Sequence, residues 1–232
     1  IGACTLGYCD DDVDAAVLQA VKNGTMTTLM VPEEVELAEL LLEQHPWAEM
    51  VRYAKGGGDA MAVAVRIARA ATKKDKVLFC GYHGWHDWYL SANLADDSAL
   101  DGQLMAGLSP VGVARELKGT SYPFWYNMID QFKTLVAKHK DNLAGVVLEA
   151  ARGMTPEADF FKTIEEECHK LNIPLIIDEV TSGFRVYCGG ACEYFGIHPD
   201  IAVFAKGMAN GYPIAATVSY THLRAHETRR HL

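Results

Sequence analysis

Residues 174–180, Pro-Leu-Ile-Ile-Asp-Glu-Val, decide the fold of this 232-residue chain. The apolar run predicts a buried strand that ends in the carboxylates of Asp178 and Glu179. Residues 201–207, Ile-Ala-Val-Phe-Ala-Lys-Gly, contain a second apolar run that leads directly into Lys206. They therefore place an amine at the end of a second predicted strand. Open α/β sheets bind their ligands at the carboxyl ends of their strands. The sequence therefore predicts a site that combines an acid and a lysine at this edge.

A lysine at the end of a buried strand differs chemically from an exposed one. Partial removal of the amine from water favours its neutral form, which is a nucleophile toward carbonyl carbon. Lys206 and Asp178 together therefore suggest a site for a bound aldehyde cofactor.

The composition is that of a globular protein, since half of the residues are hydrophobic and 22% are charged. The formal net charge of −9 argues against a nucleic-acid partner, although it leaves room for a local basic pocket that binds one phosphate. No apolar run reaches the length of a membrane span, so no membrane partner is expected. The six cysteines include no CxxC pair, which favours reduced thiols in a cytoplasmic protein.

Predicted strands and helices alternate along the chain. This order predicts an α/β fold with a mostly parallel central sheet and helices on both of its faces. The predicted strands are residues 50–54, 76–80, 144–148, 174–178, 201–205 and 212–218, and the predicted helices are residues 10–21, 33–44, 59–71, 127–139 and 157–171. Residues 91–126 show little periodicity, which is typical of a long functional or mobile loop.

Residues 219–232 do not continue this pattern. They are basic, contain three of the nine histidines and have no apolar period. We interpret them as a non-native tail and assign residues 1–218 to one domain. A histidine-rich metal-binding tail is the competing interpretation.

Three consecutive glycines, Gly56, Gly57 and Gly58, stand between a predicted strand and a predicted helix. Glycines let the backbone approach an anion, and the start of a helix presents free N–H groups, so this segment could cradle a phosphate. The alternative is an ordinary tight turn, because the segment lacks the lysine and hydroxyl residue of a P-loop.

Residues 81–89, Gly-Tyr-His-Gly-Trp-His-Asp-Trp-Tyr, are dense in aromatic and imidazole groups. One interpretation is a metal site of His83, His86 and Asp87, although their spacing is not that of a zinc protease. A second is an aromatic loop packed over the sheet edge. A third is that Tyr82 stacks on a planar ligand.

Two long segments resemble a known family. They are residues 174–185, Pro-Leu-Ile-Ile-Asp-Glu-Val-Thr-Ser-Gly-Phe-Arg, and residues 195–216, Phe-Gly-Ile-His-Pro-Asp-Ile-Ala-Val-Phe-Ala-Lys-Gly-Met-Ala-Asn-Gly-Tyr-Pro-Ile-Ala-Ala. Both resemble class III aminotransferases, and most closely the branch of glutamate-1-semialdehyde 2,1-aminomutase. The resemblance implies the large domain of fold type I, with pyridoxal 5′-phosphate (PLP) as cofactor. It also implies that residues 1–218 are a partial domain that lacks an N-terminal segment and a C-terminal small domain.

The resemblance assigns roles to individual residues. Lys206 would form the Schiff base with the cofactor, and it would move the proton between the substrate and the cofactor. Asp178 would pair with the pyridinium nitrogen. Val180 and Tyr82 would pack on the two faces of the ring. The other cofactor-binding residues that the resemblance implies are Gly57, Gly58, His83 and Glu149.

This chain departs from the family pattern at three positions. Gly58 replaces a Ser or Thr whose hydroxyl helps to hold the phosphate, which predicts weaker phosphate binding. Asp59 stands where the family has Glu, and Ala150 follows Glu149 where the family has Pro.

The function that the resemblance implies is PLP-dependent amino-group transfer, by a transaminase or by an aminomutase-like enzyme. Thr181 stands where many ω-type members have Gln, which favours the aminomutase-like branch. The expected substrate is a small amino acid, amino aldehyde or keto compound, and a homodimer is expected for the full-length protein. The alternatives are a catalytically incompetent fragment of this fold and a His/Asp metal-dependent hydrolase.

Overall fold

The computed structural model describes residues 2–25, 27–151, 153–220 and 223. The strands are β1 Met50–Ala54, β2 Lys76–Cys80, β3 Ser121–Pro123, β4 Leu143–Glu149, β5 Leu175–Asp178, β6 Ile201–Phe204 and β7 Ala215–Ser219. The helices are α1 Asp11–Asn23, α2 Pro32–Gln44, α3 Gly57–Thr72, α4 Asp87–Leu90, α5 Ile129–His139, α6 Phe160–Leu171 and α7 Gly190–Phe195. Among the described residues, no helix has both the length and the apolar character needed to cross a membrane.

The strands form one sheet in the order β1-β7-β6-β5-β4-β2-β3. Strands β3, β2, β4, β5 and β6 run parallel to one another, whereas β7 is antiparallel to both β6 and β1. The predicted mostly parallel sheet is therefore confirmed. Its register pairs Glu149 with Asp178 and Asp178 with Val203, so these strand ends lie side by side.

Helices cover both faces of the sheet, as the sequence predicts. Along β5, Ile176 belongs to the apolar cluster that includes α3, whereas Leu175 and Ile177 belong to the cluster that includes α5 and α6. The side chains of a strand alternate between the two faces, so a strand that is apolar throughout needs cover on both. The small residues Ala60 and Ala64 let α3 pack close to the sheet.

Several predicted boundaries differ from the structure. Strand β3 was not predicted, because it consists of only three residues within 91–126, where it pairs with β2. Asn127, the first residue of the predicted helix 127–139, lies before α5: it has a left-handed backbone (φ 65°), donates to the carbonyl of Thr155 and accepts the N–H of Glu157. Of the predicted tail, residues 221–222 and 224–232 lie outside the described residues, while Ser219 ends β7.

We expect His45 to make the stability depend on pH. Its ring is buried against Phe204, with ring centroids 4.8 Å apart, and burial lowers the pKa of His45 from 6.5 to about 4. Below pH 6.5 the unfolded chain binds a proton that the folded chain does not, so the free energy of unfolding falls as the pH drops from 6.5 to about 4. The expected loss is up to about 3 kcal/mol.

Urea unfolding at pH 7 and at lower pH measures this loss, with His45→Leu as the comparison. Carboxylates that become protonated in acid lower the free energy of unfolding of both proteins equally. The variant lacks the buried imidazole, so its free energy of unfolding should fall less. An identical decline in both proteins would contradict the assignment.

Candidate functional site

A cavity of about 290 Å³ opens at the carboxyl edge of the parallel strands. Of the eight site residues that the resemblance implies, seven line it: Gly57, Gly58, Tyr82, His83, Asp178, Val180 and Lys206. A larger cavity of about 460 Å³ lies at the opposite edge, beside Pro174 and Asp200, where it is distant from these groups. The sheet register therefore brings together residues that are up to 149 positions apart.

Lys206 lies two residues after the end of β6 and has a left-handed backbone, with φ 47°. This conformation is rare for residues other than glycine, and it turns the chain from β6 into a short 3₁₀ turn. The Lys206 Nζ donates a hydrogen bond to Thr181 Oγ1 at 2.7 Å. The turn thus places the amine in the cavity beside the hydroxyl of Thr181, a contact that the sequence analysis did not predict.

Asp178 is buried, and both of its carboxylate oxygens accept hydrogen bonds. Oδ2 lies 2.7 Å from His83 Nδ1, and Oδ1 accepts the N–H of Val180 at 2.9 Å. An ionised carboxylate only accepts, so the proton of this pair lies on His83 Nδ1. These two donors fix the orientation of the carboxylate that faces the cavity.

Glu149 does not line the cavity but supports the turn that carries Tyr82. Its Oε2 accepts the N–H of Tyr82 at 2.9 Å, and a Cβ added to Gly81 would lie only 2.7 Å from that oxygen. Gly81 also has φ 126°, which side chains rarely allow. Gln103, which the sequence analysis missed, accepts the Gly81 N–H at 2.8 Å. Glu149 and Gln103 therefore hold the backbone of Gly81 and Tyr82, and so position the Tyr82 ring.

The glycine turn forms the first turn of α3 and packs against the strand-end residue Val180. A Cβ on Gly57 would lie 2.8 Å from Val180 Cγ1, so position 57 has no room for a side chain. The first N–H groups of a helix have no partner within the helix, and together with the helix dipole they create a positive potential at the helix start. Gly57 and Gly58 thus offer an anion-binding turn at the cavity wall.

The two histidines of the aromatic loop have separate partners. His83 pairs with Asp178, whereas His86 Nε2 lies 3.0 Å from Asp59 Oδ1. Within the described ranges, no group of three or more His, Cys, Asp or Glu residues is arranged to hold a metal ion. The ring of Tyr82 contacts that of Tyr89 edge to face, at 5.8 Å between centroids. This geometry gives no support to the hydrolase alternative.

Glu179 holds the segment after β5 in place. It is fully buried, and it accepts hydrogen bonds from Ser182 Oγ, from the N–H of Ala191 at 3.0 Å and from the N–H of Cys192 at 2.7 Å. Burial, together with the charge of Glu179, also raises the pKa of Cys192 well above its usual value. Glu179 therefore anchors α7 beneath the cavity, a role that its position next to Asp178 did not reveal.

We expect Glu179→Ala to lower the free energy of unfolding by about 3 kcal/mol, because it leaves three buried donors without an acceptor. Urea denaturation measures the change. Glu193→Ala, which removes an exposed carboxylate from the same helix α7, is the matched control and should change stability by less than about 0.5 kcal/mol. Equal effects in the two variants would contradict the anchoring role.

Comparison with known proteins gives consistent matches. The family model described as "Aminotransferase class-III" matches residues 1–227. The chain is 35% identical over 224 residues to the 3-aminobutyryl-CoA aminotransferase of Cloacimonas acidaminovorans, covering 94% of this chain and 50% of that protein. It is 37% identical over 221 residues to the glutamate-1-semialdehyde 2,1-aminomutase of Nitrosopumilus maritimus, covering 93% and 51%. The chain thus spans about half the length of the curated relatives it matches.

Solved structures show the same likeness. An ω-transaminase from Sphaerobacter thermophilus superposes with a TM-score of 0.84 and 28% identity, covering 96% of this chain and 52% of that one. A second structure, described as a transaminase with PLP bound, gives a TM-score of 0.85 at 28% identity, with the same coverage. The α/β sheet described above is therefore the fold type I sheet that the family resemblance implies.

Proposed function

Because this chain belongs to the class-III aminotransferase family, we propose that it binds PLP at Lys206 and takes part in amino-group transfer. The observation that carries the proposal is the single cavity in which Lys206, the oriented carboxylate of Asp178 and the glycine turn meet. An amine, an acid and an anion-binding turn are the three groups that PLP requires. The 290 Å³ cavity between them can hold a planar ring.

Each group of the cavity has a partner on the cofactor. The N–H groups of Gly57 and Gly58 hold the phosphate, and Asp178 hydrogen-bonds the pyridine nitrogen and keeps it protonated. Val180 and Tyr82 pack on the two faces of the ring. When bound, PLP supplies an electron-withdrawing ring that stabilises negative charge on the substrate carbon.

Lys206 has two tasks in this proposal. Its amine would hold the cofactor by its aldehyde group, and the same amine, once freed by substrate, would move the proton between the substrate's α-carbon and the cofactor's C4′ carbon. Thr181, at 2.7 Å, holds Nζ within the cavity before the cofactor arrives. His83 and Glu149 act through their neighbours, since His83 orients Asp178 and Glu149 supports Tyr82.

Two reaction types fit this site, and the relatives include both an aminotransferase and an aminomutase. A transaminase gives the amino group to a separate carbonyl acceptor, whereas an aminomutase returns it to the same carbon skeleton. Thr181 favours the aminomutase-like type, and the substrate is a small amino acid, amino aldehyde or keto compound. We further propose a cytoplasmic homodimer, supported by the six free cysteines and by α1, which buries none of its residues and exposes Leu18 and Val21.

Reduction with borohydride tests the proposal directly. The chain is incubated with PLP, reduced and digested, and the peptides are examined by mass spectrometry for a pyridoxyl group on Lys206. A cofactor-loaded chain that converts PLP to pyridoxamine phosphate with an amino donor performs the first half of the transfer. Absence of any adduct would favour the catalytically incompetent alternative.

A further inference from the structure

The imidazole of His86 lies directly over the glycine turn at the start of α3. A Cβ added to Gly58 would lie 2.8 Å from His86 Nδ1 and 2.9 Å from its Cε1. The ring therefore occupies the space that a side chain at position 58 would need. A Cβ on Gly84 would come within 3.4 Å of Gly58 Cα, so the backbone before His86 also packs closely against this helix start.

The orientation of the ring is fixed from two sides. Asp59 Oδ1 lies 3.0 Å from His86 Nε2, and Asp59 Oδ2 accepts the Gly56 N–H at 3.0 Å. The ring of Trp85 lies against that of His86, with centroids 4.6 Å apart. Since a carboxylate only accepts, Nε2 carries a hydrogen. The Asp59 carboxylate thus links the histidine to the glycine turn.

The other ring nitrogen has no such partner. His86 Nδ1 is buried and has no hydrogen-bond partner among the described residues, although a buried polar atom normally has one. Nδ1 belongs to the ring edge that faces Gly58. His86 is not among the residues that line the 290 Å³ cavity, so Nδ1 can serve only a ligand group that lies against the glycine turn itself.

We propose that His86 is a cofactor-binding residue that donates a hydrogen bond from Nδ1 to the phosphate of PLP; this rests on the function proposed above. The imidazole takes the place of the hydroxyl that is missing at position 58. In the imidazolium form both ring nitrogens carry a hydrogen, so Nε2 donates to Asp59 while Nδ1 donates to the phosphate. Asp59 is then a positioning residue, because its carboxylate orients the ring and stabilises the positive charge.

Pyridoxal, which has the same ring and aldehyde but no phosphate, separates this role from a structural one. The dissociation constants of PLP and of pyridoxal are measured from the absorbance change on binding, which needs no turnover. We expect His86→Ala to weaken PLP binding about 10- to 100-fold, as for loss of a charge-assisted hydrogen bond, and to leave pyridoxal binding unchanged. The matched control is His198→Asn, which alters an exposed imidazole beyond the amino end of β6 and should bind both compounds as the wild type does.

A second substitution tests the exchange of one donor for another. In the His86→Ala background the ring no longer blocks position 58, so adding Gly58→Ser should restore most of the lost PLP affinity through the serine hydroxyl. If His86→Ala weakens both compounds equally, or neither, the inference is overturned while the Lys206 adduct of the wild type still supports the proposed function. A wild-type chain that forms no adduct with either compound overturns the proposed function and this inference together.

Discussion

Lys206→Ala should form no borohydride-stable adduct with PLP and should lose amino-transfer activity by at least about 10³-fold. The variant lacks the amine that joins the aldehyde carbon, and it also lacks the base that moves the proton on the substrate carbon. The two losses have separate readouts, since the first appears in the mass of the reduced peptide and the second in turnover. The alanine side chain is smaller and uncharged, so the fold should be retained.

Lys55 provides the matched comparison, because it is another amine that lines the cavity. It precedes the glycine turn, and in the proposed site it does not reach the aldehyde. Lys55→Ala should therefore still form the adduct on Lys206. An adduct that persists in Lys206→Ala, or that maps to Lys55 in the wild-type chain, would contradict the assignment of the amine.

The strand ends could be predicted because their signals are local. An apolar run followed by an acid or a lysine identifies β5 and β6, and parallel pairing then forces their carboxyl ends to one edge. The structure confirms this, since Asp178 pairs in register with Val203, three residues before Lys206. The amphipathic helices were predictable for the same reason, because their apolar spacing is visible within a short window.

The supporting contacts could not be predicted, because they join distant segments without a local pattern. Gln103 reaches the Gly81 N–H from a segment that shows no periodicity. The bond between Asp59 and His86 crosses 27 positions and links a helix start to a loop. Such contacts depend on how the loops fold over the sheet edge, so composition and periodicity carry no information about them. The sequence pattern indicates only a metal-ligand role for His86, because Asp59, its neighbour in the fold, lies 27 positions away in the chain.

Asp178→Asn should lower kcat about 10²- to 10³-fold while the adduct on Lys206 still forms. The asparagine amide is neutral and cannot keep the pyridine nitrogen protonated, so the ring stabilises less negative charge in the transition state. The loss corresponds to about 3 to 4 kcal/mol of transition-state stabilisation. The amide also satisfies only one of the two donors that the carboxylate now accepts, the N–H groups of His83 and Val180.

Comparison with two further variants separates charge from geometry at this position. Asp87→Asn neutralises an exposed carboxylate at the start of α4, four residues after His83, and it should keep the wild-type kcat, because that side chain does not line the cavity. His83→Phe removes the donor to Asp178 Oδ2 but keeps the charge, so it should cost less than Asp178→Asn. If Asp178→Asn had the wild-type kcat, the carboxylate would not act on the ring, and the buried pair of Asp178 and His83 would serve only to join β5 to the aromatic loop.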